Sequence, residues 1–388
     1  MNSGNRMADT DIILWHPQTG LASLSGGCLC LFLLMNGDVM HGEYKVPGGK
    51  LVVADLELEQ DCLTRVSISG DFFLEPDSAL IRINEALTGL PASASHQTLT
   101  AAIKEVLDDG VMMFGFSAEA VATAVRRALG KATSWHDHQF TVIPPVSLPA
   151  AEHVALDEVL ASSVAEGLRG PTLRFWDWND SVVVIGSFQS VKNEVDMASA
   201  AEHGVQVVRR VTGGGAMFME PGNCITYSLT VPTSLVDGVN IEQSYQQLDA
   251  WVLAALNTVG IKAHYVPLND IASDKGKIGG AAQKRFANGV LVHHATLAYD
   301  IDASKMLQVL RTGREKLSDK GITSANKRVD PMRSQTGLDR NTIIDAFISH
   351  FSQVYQTRHG GYLPQELAAA KALVTEKYVT DAWLYKVN

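Results

Sequence analysis

Arg209-Arg210-Val211-Thr212-Gly213-Gly214-Gly215-Ala216-Met217-Phe218 follows directly on the apolar run Val205-Gln206-Val207-Val208. The run reads as a buried strand, so the three glycines stand at a strand end. Glycine reaches positive φ without steric cost and lets backbone approach a ligand closely. Exposed N–H groups in such a loop cradle phosphate or carboxylate oxygens. Two neighbouring guanidinium groups are expected to fork onto the same anion. Taken alone, the stretch is equally readable as a glycine-rich hairpin.

Working outward, the second half of the chain alternates strands with helices. Glu152 to Val164 fits a helix. Thr172 to Trp176 and Val182 to Ile185 fit strands, Glu194 to His203 a helix ending at Gly204, and Ile225 to Val231 a strand. Ile241 to Val259 is a long helix stopped by Gly260, and Ile261 to Val266 a strand. Lys275 to Ala282 reads as a second glycine-rich turn, and Val290 to Leu297 as a strand carrying His293-His294. Helices over Asn341 to Val354 and Pro364 to Lys377 close the chain. The strand spacing is not that of regular βαβ units.

The first half reads differently. Leu51 to Leu58 and Arg65 to Ser69 alternate as strands, and Pro47-Gly48-Gly49 is a turn. Helices are expected over Asp77 to Leu87, Leu99 to Leu107 and Ser117 to Leu129, the last with Ser117 as N-cap. Strands followed by helices suit a small α+β domain. Between them, residues 131–150 hold Trp135-His136-Asp137-His138 and Pro144, Pro145 and Pro149. The expected organisation is therefore a domain over 1–135, a linker over 136–150 and a second domain over 151–388.

Of the 388 residues, 46% are hydrophobic and 19% charged, which suits a folded protein with a sizeable core. The net charge of −10 argues against a nucleic-acid binder, which wants a basic face. The cysteines Cys28, Cys30, Cys62 and Cys224 form no CxxC pair. Cys28 to Met35 reads as a buried strand too short to span a bilayer, and no signal-peptide pattern precedes it. A cytoplasmic protein without membrane attachment is the expectation. Eight basic residues lie between Lys305 and Arg333 against Glu315, Asp319 and Asp330, a local basic patch with a docking role in prospect.

Four features of the second half line up in order: Arg209-Arg210 with Gly213 to Gly215, Asn269-Asp270, Lys277 within Gly276 to Gln283, and His293-His294-Ala295-Thr296. Tyr299 to Asp302 and Lys320 to Ser324 follow them. Together, from about residue 150 to 335, these resemble the lipoate–protein ligase family within the biotin and lipoate ligase superfamily. Glu43 to Leu51 and Gly70 to Leu74 resemble the accessory domain of such ligases, here placed first. The resemblance implies an α+β fold: a mixed-sheet catalytic domain plus a small accessory domain. It implies that lipoate attacks the α-phosphate of ATP to give lipoyl-adenylate, with Mg²⁺ present. The acyl group then passes to a lysine of an acceptor lipoyl-domain protein.

On this resemblance Lys277 is the catalytic cation, bringing carboxylate and phosphate together. Arg210, Thr212, Gly213, Gly214, Gly215, Ala216, Met217, Phe218, Asp270 and His294 bind nucleotide and acyl group. Asp270 is the candidate Mg²⁺ ligand, and His294 shapes the acyl pocket. Met219, Gly279, Ala281 and Ala295 depart from the family's usual residues close to that site, which leaves lipoate against octanoate open. The rival within the same fold is an ATP-independent octanoyl or lipoyl transferase, which uses a cysteine nucleophile. Cys224, the one cysteine of this half, stands before an apolar strand, where a buried thiol is expected.

Overall fold

The protein is seen here as a computed structural model, which describes residues 39–46, 48–108, 110–311 and 329–387. The N-terminal layer begins with β1 (Met40–Lys45), β2 (Leu51–Glu59) and β3 (Cys62–Gly70), an antiparallel sheet in that order. In β2 the alternate residues Val52, Ala54 and Leu56 are fully buried, as a period of two requires. The ribbon β4 (Phe73–Glu75) with β5 (Met112–Phe114) joins helices α1 (Ala79–Leu87), α2 (His96–Glu105) and α3 (Ala118–Ala128). The oxygen of Ser117 accepts from the Ala120 N–H, so the predicted N-cap forms. Ile83, Leu87, Leu99, Ile103 and Val121 pack with β2 and β3 into one apolar cluster.

The expected linker is corrected by the structure. Phe140 to Leu148 form β6, an internal strand of the largest sheet, parallel to its neighbours β7 (Thr172–Trp178) and β16 (Thr357–His359). Pro144 and Pro145 cannot donate to a ladder, and a shift of register between Ile143 and Val146 accommodates them. The prolines mark a bulge within a strand and no break between domains.

After β6 come α4 (Ala150–Ala165), β7, β8 (Val182–Ile185), α5 (Val191–Glu194), α6 (Met197–Glu202), β9 (Gln206–Arg209), β10 (Met217–Met219) and β11 (Cys224–Pro232). The helix expected over Glu194 to His203 is thus two short ones, because Asp196 caps a new start through the Ser199 N–H. Next follow α7 (Ile241–Thr258), β12 (His264–Val266), β13 (Asp270–Ala272), β14 (Lys277–Arg285), β15 (Val290–Ala298) and α8 (Ala303–Val309). Then α9 (Met332–Thr336), α10 (Arg340–Val354), β16, α11 (Pro364–Leu373) and α12 (Asp381–Leu384) complete the described order.

The large sheet runs β12-β13-β14-β15-β11-β7-β6-β16, and a smaller one runs β10-β8-β9. On one face of the large sheet, Leu248, Trp251 and Val252 of α7 meet Phe347 and Phe351 of α10. On the other, Val154 and Ala155 of α4 and Ala370 of α11 cover Trp176 and Trp178. This is a mixed α+β architecture, as expected. Arg126 of α3 forks onto Asp237 at 2.6 and 3.0 Å and ties the N-terminal layer to the loop after β11. Among the described residues, no helix is long and apolar enough to cross a membrane.

Candidate active site

A cavity of about 630 Å³, counted to its open mouth, lies between the two sheets and α4. Arg210, Gly215, Ala216, Met217, Met219 and Val184 contribute from the smaller sheet and its glycine loop. Trp176, Trp178, Thr226, His294, Thr296, Gly280 and Ala282 contribute from the larger sheet. Val154 of α4, Asn269, Lys277 and Ala281 complete it.

The two arginines do not share an anion. Successive residues of a strand point to opposite faces, so Arg209 turns away from the cavity and Arg210 turns towards it. The buried Arg209 guanidinium donates to the carbonyls of Gly186 (3.0 Å), Gln189 (2.6 Å) and Leu384 (2.9 Å). The expectation that both fork onto one ligand is thereby corrected.

Arg210 is buried beside the loop it shapes. Its Nε donates to Thr212 Oγ1 at 2.8 Å, one terminal nitrogen to Val184 O at 3.1 Å, and the other to Gly215 O at 2.9 Å and Gly213 O at 2.5 Å. Burial lowers its pKa to about 10, and among the described residues no carboxylate pairs with it. Gly214 has φ +87°, and a Cβ there would stand 3.0 Å from the Arg210 guanidinium. The N–H groups of Gly213 to Ala216 find no acceptor among the described residues. A buried cation beside free backbone donors is an arrangement chemically suited to an anion.

Thr212 links this cation to His294. The Thr212 hydroxyl accepts from Arg210, so its own proton goes to His294 Nε2, 2.8 Å away. His294 Nδ1–H then donates to Asp157 Oδ2 at 2.7 Å. Burial also lowers the His294 pKa, so the ring is neutral. Asp157 is completed by Arg174 at 2.6 Å and Ser228 at 2.8 Å. Burial is the largest influence on its carboxyl and pushes the pKa up, but Arg174 and His294 together bring it down to about 2. Asp157 is a candidate site residue that the tertiary structure adds to those named on the resemblance. Its stretch, Ala155-Leu156-Asp157-Glu158, is itself part of the resemblance to lipoate ligases, and the fold buries its carboxylate.

Lys277 stands differently. The glycine-rich turn expected around it is mostly strand β14, with Lys277 as its first residue. Its Nζ donates to Asp270 Oδ1 at 2.7 Å, and both side chains are more than a third exposed. A Cβ on Gly280 would lie 3.1 Å from that nitrogen and 3.2 Å from that oxygen, so the glycine gives the pair its room. Asp270 does not itself line the cavity, nor do Thr212, Gly213, Gly214 and Phe218. Among the described residues no three carboxylate, imidazole or thiol groups gather as a metal site. Asp270 therefore fits Mg²⁺ only as one carboxylate joined to substrate phosphates.

Of the four departures, Met219 and Ala281 line the cavity. Ala295 faces the α7 core, and a side chain on Gly279 would collide with Leu297. Cys224 is buried and absent from the lining, and burial pushes its thiol up to about 12. Of the basic patch, Lys305 pairs with Glu220 and Arg333 with Asp300. Its centre, with Lys320 to Ser324, lies outside the described residues, as do Cys28 and Cys30.

The lipoyl protein ligase A/B catalytic domain model matches residues 149–353, more than half of the chain. The chain belongs to that family. Within it, an octanoyltransferase LipM of Lysinibacillus sphaericus is 28% identical over 262 residues, 60% of this chain and 94% of that one. A probable lipoate-protein ligase A of Mycoplasma pneumoniae is 30% identical over 202 residues, 52% of this chain and 58% of that one. Among solved structures, a bi-partite lipoate protein ligase of Thermoplasma acidophilum, from an archaeal lipoylation system with its E2 lipoyl domain, matches at TM-score 0.57 and 27% identity. It covers 64% of this chain and 97% of that one. A lipoate-protein ligase A bound with ATP shares the fold at TM-score 0.55 and 24% identity. The motifs quoted above thus lie in a lipoate ligase and octanoyltransferase family.

Proposed function

We propose that this chain activates lipoate or a related medium-chain acid with ATP, giving an acyl-adenylate and pyrophosphate. It then transfers the acyl group to a lysine of an acceptor lipoyl-domain protein. The observation that carries the reading is Arg210, buried, without a carboxylate partner among the described residues, in the wall of a cavity that Lys277 also lines. The acid and the α-phosphate repel each other, and two cations in one cavity offset that repulsion. The carboxylate oxygen attacks phosphorus, the bond to pyrophosphate breaks, and the free N–H groups of Gly215 and Ala216, which line the cavity, hold phosphate oxygens. Lys277 leaves Asp270 to follow the charge as it develops. Mg²⁺ would be held by Asp270 and the phosphates and would neutralise part of their charge. In the second step the acceptor amine attacks the carbonyl and AMP leaves. Val154, Trp176, Trp178 and Met219 form the apolar side for the acyl chain.

The similarity to octanoyltransferases favours a second reading, ATP-independent transfer through a cysteine. Cys224 suits it poorly, since a thiol raised to about 12 is neutral and no nucleophile at neutral pH. We read the N-terminal layer of β1 to α3 as the accessory unit. The test is lipoate-dependent ATP–pyrophosphate exchange in wild type, Lys277→Ala and Cys224→Ala. Exchange in wild type and Cys224→Ala, lost in Lys277→Ala, is the expected result. No exchange with any acyl acid, together with an acyl-enzyme that disappears in Cys224→Ala, would replace ligation by transfer.

A further inference from the structure

Phe188 is the most exposed large apolar residue described, at 81%, and it stands on the glycine loop. Its ring edge is 3.9 Å from where a Cβ on Gly213 would be, two residues before Gly215 reaches the cavity. Across the chain, Leu268 is 51% exposed and directly precedes Asn269, which also lines the cavity. Isolated exposed apolar groups are ordinary. Phe188, however, has a lysine beside its ring.

The exposed Lys386 donates to Ser187 Oγ at 2.8 Å and lies 3.9 Å from the Trp383 ring centroid and 6.0 Å from that of Phe188. Lys284 lies over Phe286 at 4.9 Å, and Lys377 lies over Trp383 at 4.3 Å. Lys377 is answered by Glu158 at 2.8 Å. Lys386 lies close enough to Arg209, Lys284 and Lys377 to feel all three, and among the described residues it has no carboxylate partner. On a chain of net charge −10, this is a local cationic surface around an aromatic anchor.

The geometry points to Phe188, Lys386 and Lys284 as the landing surface for a folded acceptor protein that is acidic around its target lysine. The inference rests on the ligation reading, which requires a macromolecular lysine to be delivered to the cavity whose glycine loop Phe188 packs on. Acidic groups answer the lysines, and the ring fills the contact between them. A small-molecule substrate gains nothing from this surface, so the two half-reactions respond to it differently.

The experiment measures binding of an unmodified E2 lipoyl domain by calorimetry at low and high salt, alongside lipoate-dependent ATP–pyrophosphate exchange and melting temperature. Phe188→Ser, Lys386→Glu and Lys284→Glu are each expected to weaken domain binding on the order of tenfold, with exchange and melting unchanged. Wild-type affinity should fall with salt. Glu→Lys reversals on the domain should restore affinity to Lys386→Glu. Should a variant melt early, this reversal still decides, because rescue requires a specific pair. Unchanged affinity in all three variants, or no reversal that rescues, overturns the surface. So does preferential binding of an RNA oligonucleotide over the domain. If wild type binds the domain and shows no exchange, the surface stands and the ligation reading falls.

Discussion

The two cations of the cavity are held in opposite ways. Arg210 is buried and spends its donors on Thr212 and on the carbonyls of Val184, Gly213 and Gly215. Lys277 is half-exposed and held by Asp270. The first arrangement fixes a loop, and its charge costs no reorganisation when a ligand arrives. The second leaves a compact ammonium on a flexible stem, able to move with a reacting phosphate. One arm is prepared in advance and the other is free to follow.

The fixed arm breaks hardest at Asp157. Asp157→Asn leaves Arg174 buried without its counter-charge and should cost about 3–5 kcal/mol in urea unfolding. The mobile arm breaks in chemistry: Lys277→Ala should lower exchange about 10²–10³-fold, roughly 3–4 kcal/mol, with melting nearly unchanged. Acid sharpens the contrast. The Asp157 carboxyl is lowered from 3.8 to about 2 on folding. Its contribution, about 2 kcal/mol by linkage, is whole above pH 3.8 and lost as pH falls towards 2. Urea unfolding between pH 5 and 2 should show this loss in wild type and much less in Asp157→Asn. Thr212→Val removes the hydroxyl between Arg210 and His294, and should cost about 1–2 kcal/mol of stability while raising the KM for the acid. Asp270→Asn releases an exposed partner and should change stability by less than about 1 kcal/mol. A large stability loss there would mean that Lys277 is as fixed as Arg210.

Sequence reading reached the elements wherever order is local. Periods of two and of 3.6 placed β2, β8, α7 and β15 within a residue or two, and Ser117 was found as a cap from its type and position. It failed where a residue serves a distant partner. Pro144-Pro145 marked a bulge inside the large sheet, because β6 pairs with strands that begin at residues 172 and 357. The glycines after Lys277 lie in a strand, because at Gly279 the next strand leaves no room for a side chain.

The sequence by itself determined the family, the ordered motifs and the residue types that the chemistry needs, since each is written in consecutive positions. Only the tertiary structure decided that Arg209 and Arg210 part company. The strand sends neighbouring side chains to opposite faces, and what waits on each face comes from far along the chain. For Arg209 it is the C-terminal carbonyls near Leu384, and for Arg210 it is the glycine loop and the network ending at Asp157. Burial, and hence where charge stays unanswered, depends on the whole packed arrangement.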